Sequence, residues 1–140
     1  IVWRMRVIRK TLTGGLARIQ WLLSIAAAVA FIAGYILAIV TGVWWPDQSD
    51  LILTLVVLGV VVGLLNVTGK EIMPYLVAAI ALVVVGSFEA FTPLNEVRRG
   101  LGDDLNDIVR LMAIFTAPAA VIQAIRAGVV LSAPDRKQDR

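Results

Sequence analysis

A run of 28 residues without a charged side chain, Ile19 to Pro46, constrains this chain more than any other feature of its sequence. A charge at the centre of a membrane-spanning helix costs roughly 2.5 to 3.5 kcal/mol, so long uncharged apolar runs mark membrane spans. The run exceeds the ~20 residues that cross a ~30 Å hydrocarbon core, and it is too long for the ~7 to 15 residue apolar core of a signal peptide. The sequence therefore predicts a segment that stays in the membrane.

Three further uncharged runs follow, and the composition supports reading them as spans too. Hydrophobic residues make up 59% of the chain and charged residues 16%, whereas soluble domains have about 45–50% and about 25%. The fourth run is the shortest, but the flanking Arg110 and Arg126 can extend toward the two membrane surfaces. We therefore expect an all-α, polytopic membrane protein with four transmembrane helices, at about 19–45, 51–68, 71–90 and 104–131.

The distribution of Lys and Arg predicts the orientation of these spans. Ten of the 13 cations fall on the side of the chain ends and the loop between the second and third spans. Because cytoplasmic loops carry the excess of cations, both termini should be cytoplasmic, in the cytoplasmic membrane of a prokaryote. Residues 19–133 would then form the transmembrane domain, and residues 134–140 a charged cytoplasmic tail.

Residues 1–18 have the pattern of a basic amphipathic helix that lies in the membrane interface. Met5, Ile8 and Leu12 follow helical spacing, and Gly14-Gly15 offers an elbow into the first span. The cations would bind anionic lipid at the cytoplasmic face or a cytoplasmic partner; alternatively, they only enforce orientation. The cations in this segment are Arg4, Arg6, Arg9, Lys10 and Arg18.

The connections between spans carry turn and capping signals. Thr68 to Glu71 has the spacing of a capping box, which predicts a tight turn and an antiparallel hairpin of the second and third helices. Thr92-Pro93 predicts the start of a short external helix from Pro93 to Arg99. Asp103 is then expected to cap the fourth span.

Small residues recur at intervals of four along the first span, which would let another helix backbone approach closely. The second span adds a Gly-x-x-x-Gly pair. The pattern predicts close helix packing, either among this chain's own helices or between subunits. The predicted packing residues are Ala26, Ala30, Gly34, Ala38, Gly42, Gly59 and Gly63.

Ionisable residues at the ends of the third and fourth spans suggest two ion pairs, because such residues in a membrane commonly have a partner. Glu89 would pair with Arg110 outside, and Glu71 with Arg126 inside. The alternative is that these side chains extend to the lipid headgroups. Pro118 predicts a kink in the fourth span, in which Gln123 is a deeply placed polar residue.

The residue types exclude most catalytic chemistry. The chain contains neither His nor Cys, so the common zinc, haem, iron–sulfur and His-dependent nucleophilic sites cannot be built from it alone. It also lacks a phosphate-binding Walker motif, and its external carboxylates are of a kind that usually caps helices or faces water. We therefore expect no enzyme activity, no catalytic residues, no metal and no cofactor, and no nucleic-acid partner, since the cations flank spans.

Three segments carry a resemblance to a known group: Gly63 to Glu71, Leu76 to Leu82 and Ala117 to Arg126. Over roughly residues 60 to 130 the chain resembles uncharacterised small hydrophobic membrane proteins of archaea and candidate-phylum bacteria. The resemblance implies the hairpin and the kinked last helix, and it implies no chemistry.

These features predict a structural or assembly role, as a homo-oligomer or as an accessory subunit of a larger membrane complex. The alternative is a small oligomeric channel or transporter in which the fourth helix lines the path.

Overall fold

The computed structural model describes residues 2–65 and 72–132, and these residues form four α-helices and one short 3₁₀ helix. The α-helices are α1 (Val2–Trp44), α2 (Ser49–Leu65), α3 (Ile72–Ser87) and α4 (Leu101–Ser132). The 3₁₀ helix, Thr92–Glu96, lies between α3 and α4. The described residues contain no strand, which agrees with the expected all-α class.

The last helix in chain order, α4, is the centre of the bundle. It packs against α1, α2, α3 and the 3₁₀ helix, and α1 also packs against α2. The buried core surrounds Phe115 and Leu111 of α4, which contact Ala38 of α1 and Leu55 and Val62 of α2. Among the described residues α2 and α3 share no such interface, so the predicted hairpin is not a packed pair; each of the two helices packs on α4 instead.

Helix α1 is continuous from Val2 to Trp44, and the predicted elbow at Gly14-Gly15 is wrong. With ~1.5 Å of rise per residue, its 43 residues extend about 65 Å. In the described part of the chain, no other segment lies within 4 Å of a Cβ atom built at either glycine. The predicted interfacial segment is therefore the first half of α1, continuous with the rest of the helix.

Two of the helices, α1 and α4, are long and apolar enough to cross a membrane. Helices α2 and α3 are apolar too, but they have 17 and 16 described residues. Their length corresponds to about 25 Å of helix, somewhat less than a ~30 Å hydrocarbon core.

The connection between α3 and α4 differs from the prediction. The expected external helix, Pro93 to Arg99, is a single 3₁₀ segment, Thr92–Glu96. Left-handed backbone conformations flank it, at Glu89 (φ 47°) and at Gly100 (φ 87°). Because α4 begins at Leu101, Asp103 lies in its first turn and is not the residue that precedes the helix.

The side chain of Asn95 caps the start of α4, which is the role that was expected of Asp103. Its Oδ1 accepts hydrogen bonds from the backbone N–H groups of Gly102 (2.7 Å) and Asp103 (3.3 Å), and its Nδ2 donates to Asp103 Oδ1 (2.8 Å). These N–H groups have no acceptor within the helix, as at the start of any α-helix. The 3₁₀ helix therefore supplies the cap that holds the start of α4.

Candidate functional site

The small residues of α1 and α2 form one seam that receives α4. A side chain built at Gly34 would collide with the Phe115 ring, and one at Gly42 would come within 2.8 Å of the Ile108 backbone. On α2, Gly59 faces the Phe115 carbonyl and Gly63 faces Ala119. The seam therefore serves packing within the chain at these positions.

Ala26, the first residue of the predicted ladder on α1, does not take part in this seam. Ala38 is fully buried, Ala30 is half-buried and Ala26 is exposed. Ala27, one position further along, is buried instead of Ala26. The four-residue spacing of small residues therefore predicts the contact face of α1 only over the part of the helix that packs against α4.

Polar residues in the C-terminal half of α4 bind the last described turn of α2. Gln123 is buried, and its Nε2 donates to the carbonyl oxygen of Gly63 at 3.0 Å. One turn later, Arg126 Nη2 donates to the carbonyl of Leu64 at 3.0 Å. Gln123 and Arg126 therefore bind α4 to the last described turn of α2.

A second polar contact joins α4 to α1. Thr116 is buried, and its hydroxyl is 3.1 Å from the Tyr35 hydroxyl. The rings of Phe31, Tyr35 and Phe115 pack around this pair with centroids 4.6 to 5.8 Å apart. Sequence reasoning missed Tyr35, because an aromatic residue in an apolar run carries no sign of its partner.

The expected outer ion pair is wrong. Arg110 Nη2 contacts Asp47 Oδ1 at 3.3 Å, Asp107 Oδ1 at 3.1 Å and the Pro46 carbonyl at 3.2 Å. Glu89 is exposed at the left-handed turn after α3, where its backbone carbonyl accepts a hydrogen bond from Thr92. Arg110 thus fastens the loop between α1 and α2 to α4. The expected inner pair involves Glu71, which lies outside the described residues.

Pro118 lies inside α4, and the helix continues through it. Because proline has no N–H, the carbonyl of Ile114 loses its usual donor. Gly59 of α2 lies directly against the next carbonyl, that of Phe115, and close to the Pro118 ring. The glycine seam therefore covers α4 beside Pro118.

A cavity of about 490 Å³ opens beside this region, between all four helices. Its walls are mostly apolar, with Phe31 and Val62 among the lining residues. Polar groups come from Gln20 and Ser24 of α1, Tyr75 of α3 and Gln123 of α4. The Tyr75 hydroxyl is buried and has no hydrogen-bond partner in the described part of the chain.

The first half of α1 presents a basic surface. Every side chain described between residues 2 and 22 is exposed, including the five predicted lipid-binding cations. Large apolar side chains such as Trp3, Leu12 and Leu16 are exposed on the same segment. Among residues 2–65 and 72–132, no three acidic side chains are grouped so that they could hold a metal ion.

The chain matches no protein-family model, and no curated protein or solved structure matches it significantly.

Proposed function

We propose that this chain is an integral protein of a prokaryotic cytoplasmic membrane with four spans, both termini cytoplasmic, and a structural or assembly role. It acts either as a homo-oligomer or as an accessory subunit of a larger membrane complex, and it catalyses no reaction. Its partners are the bilayer, anionic lipid at the cytoplasmic face, and copies of itself or other membrane subunits.

The observation that carries this proposal is the exposed apolar surface of α1. The most apolar part of this helix has a mean hydropathy of 2.5, yet only 11% of it is buried within the chain. Val29, Ile32 and Ile36 each expose more than half of their surface. An apolar surface of this extent requires lipid or another protein as its neighbour.

The length and charge of α1 support a partner beyond the hydrocarbon core. A span uses about 20 of its 43 residues, so the basic half extends past the membrane. Residues 1–46 contain five cations and no acidic residue. Each cation near an anionic membrane surface contributes about 1 kcal/mol of binding, which favours contact with the inner leaflet or with an acidic subunit.

The alternative is a small oligomeric channel or transporter whose path is lined by α4. Its support is the presence of Thr116, Gln123 and Arg126 on this helix. Against it, α4 packs against the three other helices, and Thr116 and Gln123 are buried and hydrogen-bonded within the chain. The assembly role requires no rearrangement of this core and is therefore preferred.

The test is the mass of the protein purified in a mild detergent, compared between two matched variants. Val29 on α1 and Val77 on α3 are 61% and 64% exposed. We expect a defined oligomer, or a complex of constant stoichiometry from source membranes, which Val29→Trp disrupts and Val77→Trp leaves intact. The assembly role would be contradicted if the unmodified protein were monomeric both when purified alone in detergent and when isolated from source membranes. Ion flux across proteoliposomes that depends on Gln123 would instead support the channel.

A further inference from the structure

The cavity lies where α1 and α3 each pack against α4 and make few contacts with each other. Its volume of about 490 Å³ lies within the ~300 to 1,000 Å³ of typical small-molecule sites. It is bounded by Ala28 on α1, by the end of α2 at Gly63, and by Tyr75 on α3. A space of this size beside a closely packed seam is large enough to hold a ligand.

The chemistry of its walls selects the class of ligand. The described lining residues carry no charge, and most are aliphatic or aromatic. A charged headgroup would be poorly solvated there, whereas a hydrocarbon tail would be well accommodated. Hydrogen-bonding groups are few and come from Gln20, Ser24, Tyr75 and Gln123. Such a set of groups fits one uncharged polar head on an otherwise apolar molecule.

The Tyr75 hydroxyl supplies an independent observation. A buried hydroxyl without a partner costs about 1–3 kcal/mol, and buried tyrosine hydroxyls usually find one. Among the described residues this hydroxyl has none. A ligand oxygen in the cavity would accept a hydrogen bond from this hydroxyl and remove this cost.

We propose that the cavity binds one uncharged single-chain amphiphile, with an acyl or isoprenoid tail against the apolar wall and a hydroxyl or carbonyl head near Tyr75. The proposal rests on the membrane embedding proposed above, and not on the assembly role. Two probes share the uncharged head and differ in the tail: monoolein, which has an acyl chain, and geranylgeraniol, which has an isoprenoid chain. Oleate keeps the acyl chain but replaces the head with a charge.

The test is native mass spectrometry of the full chain released from detergent micelles, with each probe titrated in turn. We expect a saturable adduct of one monoolein or one geranylgeraniol per chain. The probe that binds more tightly shows whether the cavity prefers an acyl or an isoprenoid tail. Oleate should bind at least tenfold more weakly than monoolein. The same spectra report the oligomer mass, so failure of ligand binding and failure of assembly are separate readings.

Three variants test whether the probe binds in the cavity. Ala28→Phe fills the space and should abolish the adduct, whereas Ala33→Phe makes the same change on an exposed part of α1 away from the lining and should not. Tyr75→Phe removes one hydroxyl and should weaken binding about fivefold without lowering the stability of the ligand-free protein. Equal adducts in Ala28→Phe and Ala33→Phe, equal binding of oleate, or no adduct with either uncharged probe would each overturn the proposal.

Discussion

Gln123 of α4 donates a hydrogen bond to the carbonyl oxygen of Gly63 in α2, at 3.0 Å and almost fully shielded from solvent. The amide thus links the two helices at the level where the glycine seam brings their backbones together. The same contact explains why a strongly polar residue is tolerated in an apolar helix.

Gln123→Leu should lower the free energy of unfolding by about 1–3 kcal/mol, because it leaves a buried carbonyl without this donor. Unfolding in mixed micelles with increasing denaturing detergent measures the change. Gln20→Leu makes the same replacement at an exposed residue of α1 and should have little effect. Equal losses in the two variants would mean that the hydrogen bond contributes nothing specific.

Gly34→Leu should destabilise the bundle by about 1–3 kcal/mol or more, because any side chain there meets the Phe115 ring. Among the described residues, Gly128 has no neighbour within 4 Å of a built Cβ atom, so Gly128→Leu is the matched control and should be neutral or stabilising. Combining Gly34→Leu with Phe115→Ala should recover part of the loss. If Gly34→Leu is as stable as the control, α1 does not approach α4 at this point.

Sequence reasoning predicted an all-helical chain and the close approach at Gly34, Gly42, Gly59 and Gly63, because both follow from local composition and spacing. It did not predict that Arg110 pairs with Asp47 or that Arg126 donates to the Leu64 carbonyl. Those partners depend on which helices are neighbours, and in a uniformly apolar bundle many arrangements bury similar surface. The Gly14-Gly15 elbow failed for another reason: glycine permits a bend but does not require one.

Arg110 should couple energetically with Asp47 and not with Glu89. The Arg110 and Asp47 side chains are 42% and 88% exposed, so the coupling should be small, about 0.2–1 kcal/mol. Double-mutant cycles with Arg110→Gln, Asp47→Asn and Glu89→Gln measure both couplings. A coupling larger with Glu89 than with Asp47 would restore the ion pair expected from the sequence.

Asn95→Ala should cost about 0.5–2 kcal/mol, because the first turn of α4 loses its capping acceptor. Amide hydrogen exchange at Gly102 and Asp103 should accelerate in this variant. Glu96→Ala changes the exposed neighbouring residue and should leave both exchange rates unchanged. Unchanged exchange in Asn95→Ala would show that the 3₁₀ helix does not hold this end of α4.

The proposed topology can be tested with single cysteines, since the chain contains none. Cysteines at Gln48 and Val97 should react with an impermeant thiol reagent from outside the cell, and a cysteine at Thr13 only after the membrane is opened. All three residues are exposed. Val97 is preferred to Asn95, because Asn95 holds the start of α4. Labelling of Gln48→Cys only from the cytoplasmic side would reverse the orientation.

The central position of α4 also determines when the protein can become compact during synthesis. Until Leu101 to Ser132 have emerged, α1 and α2 have only each other to pack against, and the hollows at Gly34 and Gly59 stand empty. The first three helices must therefore remain a loosely packed intermediate until α4 has been synthesised, and α4 completes the fold.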